Sequence, residues 1–268
     1  MRQMNNLRSS VIGVYRIVIQ SLLPSIAALT ILVVVWGLWV GLGSVPEYIV
    51  PSPSAVLDRL VGNPGFFFYH GFITLVEALG GFLLGATVAI LGATVMVHSR
   101  FVERTLLPLA LLVKVTPIVA IAPLFVIWFG FGSAPKILIA ALITFFPVMV
   151  NAFTGFRSIN SDVLNFFRSV SATKSQIYFK LRVPSSLPYL FAAFRIAVPL
   201  SVIGAVVGEW FSGDRGLGSV IIIAHNNLDM PTLFSAILVL AATGVSLTVF
   251  VSYLEKRLLF WHEIGVIS

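Results

Sequence analysis

The chain has 268 residues, 58% of them hydrophobic and only 10% charged, with a net charge of +7 and no cysteine. So few charges cannot clothe a soluble domain of this size, and a mean hydropathy of +1.02 marks an integral membrane protein. The missing cysteines exclude disulfides, thiolate metal sites and cysteine nucleophiles. His70, His98, His225 and His262 are scattered without metal-ligand spacing, so no metal site is expected.

Residues 1–20 carry Arg2, Arg8 and Arg16 and no acid. Residues 21–43 form the first apolar run, long enough to span, since a membrane helix needs about 20 residues. The run lacks a signal peptide's short apolar core and small-residue cleavage site, and reads as a retained helix. Residues 44–71 form an external segment. Within it Ser52-Pro53 predicts an N-cap with proline at the first helical position. That short helix would lie at the interface with Val56, Leu57, Leu60 and Val61 on one face.

The second span covers 72–97. Gly81, Gly85, Ala89 and Ala93 recur every four residues and make a smooth stripe. Such a stripe lets another helix approach closely, either in the same chain or in a partner subunit. The third span, 104–130, is interrupted by Pro108, Pro117 and Pro123. The carbonyls these prolines free must be satisfied by neighbours or by a cavity. The fourth span, 134–153, contains Pro147.

The interval from Arg157 to Pro188 is the longest polar stretch between two apolar segments, with Arg157, Arg168, Lys174, Lys180 and Arg182 against Asp162 alone. Val163, Phe166, Phe167 and Val170 recur at helical spacing, and Ile177 and Leu181 resume the pattern after Ser171-Ala172-Thr173. Thr173 and Gln176 fit a capping box. Pro184 biases Val183 out of helical geometry and is expected to end the second piece. A short helix, a turn and another short helix, bearing positive charge and apolar side chains, predict a docking loop over 157–186.

The fifth span covers 187–211 and contains Pro199. Residues 212–231 are polar and glycine-rich, and the run Val220 to Ala224 is too brief to cross. The sixth span covers 232–253, followed by Lys256 and Arg257.

Six spans leave both termini on one side. With that side cytoplasmic, the inner segments hold Arg2, Arg8, Arg16, Arg100, Arg104, Arg157, Arg168, Lys174, Lys180, Arg182, Lys256 and Arg257. The outer segments hold Arg59, Lys136 and Arg215. The positive-inside rule therefore predicts cytoplasmic termini and a cytoplasmic docking loop. The basic balance is topological, and nucleic acid is not an expected partner.

Glu77, Lys114, Arg195 and Glu209 fall inside apolar spans, where an ionisable side chain is costly unless it faces protein or water. Arg195 can snorkel, and Glu77 and Glu209 lie near outer ends, where interface exposure would satisfy them. Lys114, beside Thr116-Pro117, is harder to excuse. It predicts either a polar pathway or an ion pair with an acid such as Glu77 or Glu209.

The docking loop resembles the coupling loop of permease subunits of bacterial binding-protein-dependent ABC importers. That family's signature runs E-A-A, three residues, glycine, nine residues, I-x-L-P. Here Asn165-Phe166-Phe167 stands at its start, Ser171 at its glycine, and Leu181-Arg182-Val183-Pro184 at its end. Ser171 in place of glycine implies a turn that avoids strongly left-handed backbone angles. The segments Val50 to Val56, Ala122 to Gly132, Gly204 to Trp210 and Gly216 to Gly218 resemble the branch that moves nitrate, sulfonates and taurine. Some members of that branch handle pyrimidine, riboflavin or aromatic-acid solutes.

The resemblance implies an all-α, six-span type I importer permease, a single domain over 1–268 in the bacterial inner membrane. Its partners would be ATPase subunits, a second permease copy (most simply an identical one), a soluble substrate-binding protein and membrane lipid. ATP and Mg would sit on the ATPase, since this chain lacks a G-x-x-x-x-G-K-[ST] loop, and the subunit would be no enzyme. The coupling residues would be Phe166, Phe167, Arg168, Ser171, Ala172, Thr173, Lys174 and Gln176. A translocation pathway would draw on Lys114, Thr116, Pro117, Glu77, Ile203 and Glu209. A secondary transporter or channel would also have broken helices and buried charge, but would not need the docking loop. A membrane enzyme would need a cluster of acids, histidines or nucleophiles at one depth.

Overall fold

The computed structural model describes residues 23, 24, 26–213 and 215–260. Arg2, Arg8 and Arg16, which weigh in the topology count, and His262 lie outside the described residues. The described helices are α1 (Ile26–Leu42), α2 (Pro53–Gly62), α3 (Pro64–His98), α4 (Arg100–Val115), α5 (Ile118–Phe129), α6 (Ser133–Arg157), α7 (Ser161–Ser169), α8 (Lys174–Ile177), α9 (Val183–Ser212), α10 (Leu217–Asn226) and α11 (Met230–Leu258). A π-helical turn, Tyr178–Arg182, joins α8 to α9.

The predicted spans correspond to α1, α3, the α4–α5 pair, α6, α9 and α11. Of these, α3, α6, α11 and the continuous 174–212 helix are each long and apolar enough to cross a bilayer, and the α4–α5 pair makes a bent fifth. Two boundaries differ from the sequence reading. Pro64 starts α3 eight residues before the predicted start, so residues 64–71 belong to a 35-residue helix and not to an external loop. At about 1.5 Å per residue, such a helix outreaches the roughly 30 Å hydrocarbon layer. Pro184, expected to end a helix, instead sits at the start of α9, with Val183 fully helical. The π turn explains this. Val183 donates to the Tyr178 carbonyl, five residues back, and the widened turn gives the proline ring room where a tight α turn would clash.

The centre of the bundle is α6, held between α3 and α9. The small-residue stripe faces within the chain. A Cβ on Gly81 would come 2.8 Å from the Ile137 carbonyl oxygen. Sequence reading missed a second stripe on α9, where a Cβ on Gly204 would come 2.6 Å from Ala140 Cα and one on Gly208 2.7 Å from Lys136 Cα. Both neighbours thus press glycine against one stretch of α6. Further along, Ala89, Ala93, Val148, Met149, Ala152, Phe156, Ala193 and Ala197 form the largest apolar core. Without a hydrophobic drive in lipid, this close packing holds the helices together.

The third span is not one rod. α4 and α5 meet at 99° across Thr116-Pro117. Proline pushes Thr116 to an extended backbone (φ −72°, ψ 125°), and the Thr116 hydroxyl donates to the Leu112 carbonyl at 2.7 Å.

The predicted cap of α2 forms, with Ser52 Oγ accepting from the Ala55 N–H. Its apolar face divides, however. Val56 is buried and Leu60 packs beneath, while Leu57 and Val61 are exposed. The cause is α11: Ser235 donates to the Val56 carbonyl, and Arg59 pairs with Asp229 at its start.

Candidate functional site

Three sites carry polar or exposed chemistry, and the helices set each one. At the α4–α5 break, Lys114 and Thr116 line an open depression of about 600 Å³ with Asn151, Phe146, Ile196 and Leu200. Lys114 is exposed, and its Nζ lies 4.9 Å from the Phe146 ring centroid, a cation–π distance. Asn151 Nδ2 donates to the Pro147 carbonyl. Ile203, 55% exposed, lies two helical turns beyond Ile196 on α9.

Glu77 and Glu209 are not at this depression. They are 1% and 0% exposed; Glu77, thirteen residues into α3, meets the first turn of α6, and Glu209 lies in the last turn of α9. Interface exposure does not satisfy them, nor does Lys114. Glu77 Oε1 pairs with Lys136 Nζ at 3.0 Å and accepts from Ser133 Oγ at 2.9 Å. Lys136, read from the sequence as an outer-loop charge, is buried on the first turn of α6 and also donates to the Arg215 carbonyl. Glu209 accepts from Thr74 Oγ1 at 2.7 Å and from the Gly218 N–H at 2.5 Å. The neighbouring amides of Gly216 and Leu217 donate to His70 Nδ1 and Thr74 Oγ1. Two spans thereby satisfy the amides that a helix start leaves unpaired, and α10 is tied to the bundle. The Gly216-Leu217-Gly218 sequence follows from this contact: Gly216 has φ +103°, and a Cβ on Gly218 would come 2.7 Å from Glu209 Oε2. Thr74, His70 and Lys136 were missed from sequence. The three-residue step from Thr74 to Glu77 on one face of α3 was the available signal.

Arg195 is likewise engaged, donating to Glu255 of α11, where the sequence allowed snorkelling.

At the opposite end, the docking loop forms as a helix, a turn and a helix. Two of its five cations hold it to the bundle. Arg157 grips Glu103 with both terminal nitrogens and lies over Phe153, and Arg182 donates to the Phe156 carbonyl. Arg168, Lys174 and Lys180 are exposed. The Thr173–Gln176 capping box is present in both directions. Ser171, however, has φ +55°, contrary to the expectation that it avoids the left-handed region. The reason is a Schellman closure of α7: the Ala172 N–H donates to the Phe167 carbonyl and the Ser171 N–H to that of Arg168. Such a closure needs a left-handed residue at this place and normally takes glycine. Phe166 and Val170 are 62% and 59% exposed on the knob, and Phe179 is exposed beside it. Phe167 and Ala172 are half-buried, and Gln176 is exposed.

Residues 81–260 match the family model described as binding-protein-dependent transport system inner membrane component. The chain is 36% identical over 245 residues to the formylaminopyrimidine transport permease protein ThiX of Halalkalibacterium halodurans, covering 91% of this chain and 97% of that one. It is 37% identical to the riboflavin transport system permease protein RibX of Chloroflexus aurantiacus, covering 87% and 88%. Identity to the putative aliphatic sulfonates transport permease protein SsuC of Bacillus subtilis is 30%, covering 87% and 85%. Among solved structures, an inward-facing form of the MetNI methionine ABC transporter superposes with a TM-score of 0.55 at 18% identity, covering 72% of this chain and 92% of that one. That likeness concerns the fold, the type I importer permease fold.

Proposed function

We propose a division of labour between the two ends of a chain that belongs to the family of binding-protein-dependent transport system inner membrane components and is a multi-pass permease subunit of an ABC importer. The loop end docks an ATPase subunit through the knob from Phe166 to Gln176. The observation that carries this reading is the exposure of Phe166 and Val170 on a capped turn beside the exposed Arg168 and Lys174. Each large apolar side chain left in water forfeits roughly 1.5–3 kcal/mol that burial would return. A cleft with an acidic rim satisfies both features. ATP and Mg belong to that partner. The docking end and both termini are cytoplasmic, as the positive-inside count argues. A second copy of the chain completes the pathway, and a soluble binding protein delivers solute to the opposite face.

The depression at Lys114, Thr116 and Asn151 forms part of the pathway in this reading. Its walls are mostly apolar, with Phe146, Ile196 and Leu200 around three polar groups. Such a lining suits a small planar heterocycle with a polar edge, the class named in ThiX and RibX. The Lys114 ammonium favours a second reading, a small organic anion such as a sulfonate. Reconstitution with the ATPase and binding protein in liposomes tests the whole. Binding-protein-stimulated ATP hydrolysis should accompany uptake of a labelled aminopyrimidine in preference to an alkanesulfonate. Uptake driven by an ion gradient without the ATPase would instead assign a secondary transporter.

A further inference from the structure

We infer that Asn151 is a specificity-determining residue of the depression at the α4–α5 break, and that its side-chain oxygen selects solutes carrying an N–H donor. The inference rests on the reading of that depression as part of the pathway, and adds which atoms choose among solutes.

Hydrogen bonds within the helices fix the polarity of two of the three polar groups there. Asn151 Nδ2 donates to the Pro147 carbonyl at 2.8 Å. A carbonyl only accepts, so the amide nitrogen must face it and the amide oxygen is turned away. That oxygen has no partner among the described residues, and it is not sealed from solvent. Thr116 Oγ1 gives its one hydrogen to the Leu112 carbonyl at 2.7 Å, which leaves lone pairs for anything else. The Lys114 ammonium, over the Phe146 ring, can only donate. The depression therefore presents one cation and two acceptor oxygens between the apolar walls of Phe146, Ile196 and Leu200.

This set discriminates between kinds of solute. An alkanesulfonate brings acceptors only. It would answer the ammonium and leave the oxygens of Asn151 and Thr116 facing no donor. Asn151 is half-buried, and a bound solute displaces the water that otherwise serves its oxygen. A polar group stranded in this way costs more than an ordinary hydrogen bond contributes. A small ring with an acceptor nitrogen and an exocyclic amino group meets both requirements, and its faces suit the apolar walls.

Saturation-transfer NMR titration of the permease–ATPase complex in nanodiscs tests this. The binding protein is left out, because it would impose a selectivity of its own. The probes are an aminopyrimidine and the methylpyrimidine of the same ring, which differ by an amino group against a methyl group. Wild type should bind the amino probe about tenfold more tightly, the size of one hydrogen bond. Asn151→Leu keeps the bulk and removes the oxygen, so the preference should fall to about twofold, with Thr116 the remaining acceptor. The ratio is taken within each variant, so a change in folding or assembly cancels. An undiminished preference in Asn151→Leu would overturn the inference and leave the depression as a binding site. Equal binding of the two probes by wild type would overturn it as well. Binding of neither probe by wild type would overturn the pathway reading together with it. If Asn151→Leu does not assemble, Asn151→Ala also lacks the oxygen and carries the same prediction.

Discussion

Lys136 and Glu77 form an ion pair at 3.0 Å in which the side chains are only 3% and 2% exposed. Removing one member of such a pair strands a buried charge, typically at about 3–5 kcal/mol. The two members should differ here. Lys136→Met leaves the buried Glu77 carboxylate without its ammonium partner, whereas Glu77→Gln keeps an amide oxygen for Lys136, which also holds the Arg215 carbonyl. Thermal unfolding in detergent should rank Lys136→Met well below Glu77→Gln, with Glu77→Gln modestly below wild type. Equal losses would show that neutral acceptors do not sustain the buried Lys136 ammonium.

The glycines on both sides of α6 give a steric prediction. Gly204→Ala drives a Cβ towards the Ala140 backbone, as Gly81→Ala does towards Ile137. Backbone cannot step aside as a flexible side chain can, so each should cost about 1–3 kcal/mol or prevent folding. Gly92→Ala, with nothing within 4 Å of the new Cβ, should melt close to wild type. Size-exclusion profiles and melting curves of the three variants check the contrast.

Patterns confined to neighbouring residues were legible in the sequence. The Ser52 cap, the Thr173–Gln176 box and the Thr116-Pro117 break all depend on groups a few residues apart. The Gly81–Gly85 stripe announced close packing, but not which helix would meet it. Partners far apart in sequence were not legible. Nothing local ties Lys136 to Glu77, or Glu209 to the Thr74 hydroxyl, because the pairing arises only when α3, α6 and α9 converge. The Ser171 backbone was misread for another reason. Residue identity suggests avoidance of positive φ, but two hydrogen bonds closing α7 outweigh that preference.

The same turn yields a prediction of stabilisation. A non-glycine residue in the left-handed region costs roughly 1–2 kcal/mol. Ser171→Gly should recover about 1 kcal/mol of local stability, read as slower hydrogen exchange at the Ala172 amide. Ser171→Val, with a branched Cβ, should accelerate that exchange. Slower exchange in the valine variant would mean that the Schellman closure does not control the turn.

If the knob enters an ATPase cleft, bulk at its tip and reversed charge on its flank should break coupling while leaving insertion intact. Ala172→Trp enlarges a half-buried tip residue, and Arg168→Glu inverts an exposed charge. Each should lower uptake per ATP hydrolysed, or release the ATPase during purification. The Arg168→Glu defect should shrink as salt rises, because screening weakens rim electrostatics. Unchanged coupling in the double variant would move the docking surface elsewhere on the loop.

Lys114 tests the pathway. Its ammonium stands exposed over the Phe146 ring, without an acid among the described ion pairs, so it does not hold the bundle together as Lys136 does. Lys114→Met keeps the aliphatic stem and removes the charge. Melting temperature should stay near that of wild type while uptake falls, with the larger drop for an anionic solute if the charge contacts it. Single cysteines at positions 114, 116 and 203 should react with small aqueous thiol reagents, at rates that change when the ATPase binds ATP. The bend at Thr116-Pro117 provides the reason: a backbone turned through 99° at that depth needs protein or water around it, and the depression of about 600 Å³ beside it provides the space. Normal uptake by Lys114→Met, together with inert cysteines at all three positions, would leave this depression as a lipid-facing groove and put the pathway on another face of the bundle.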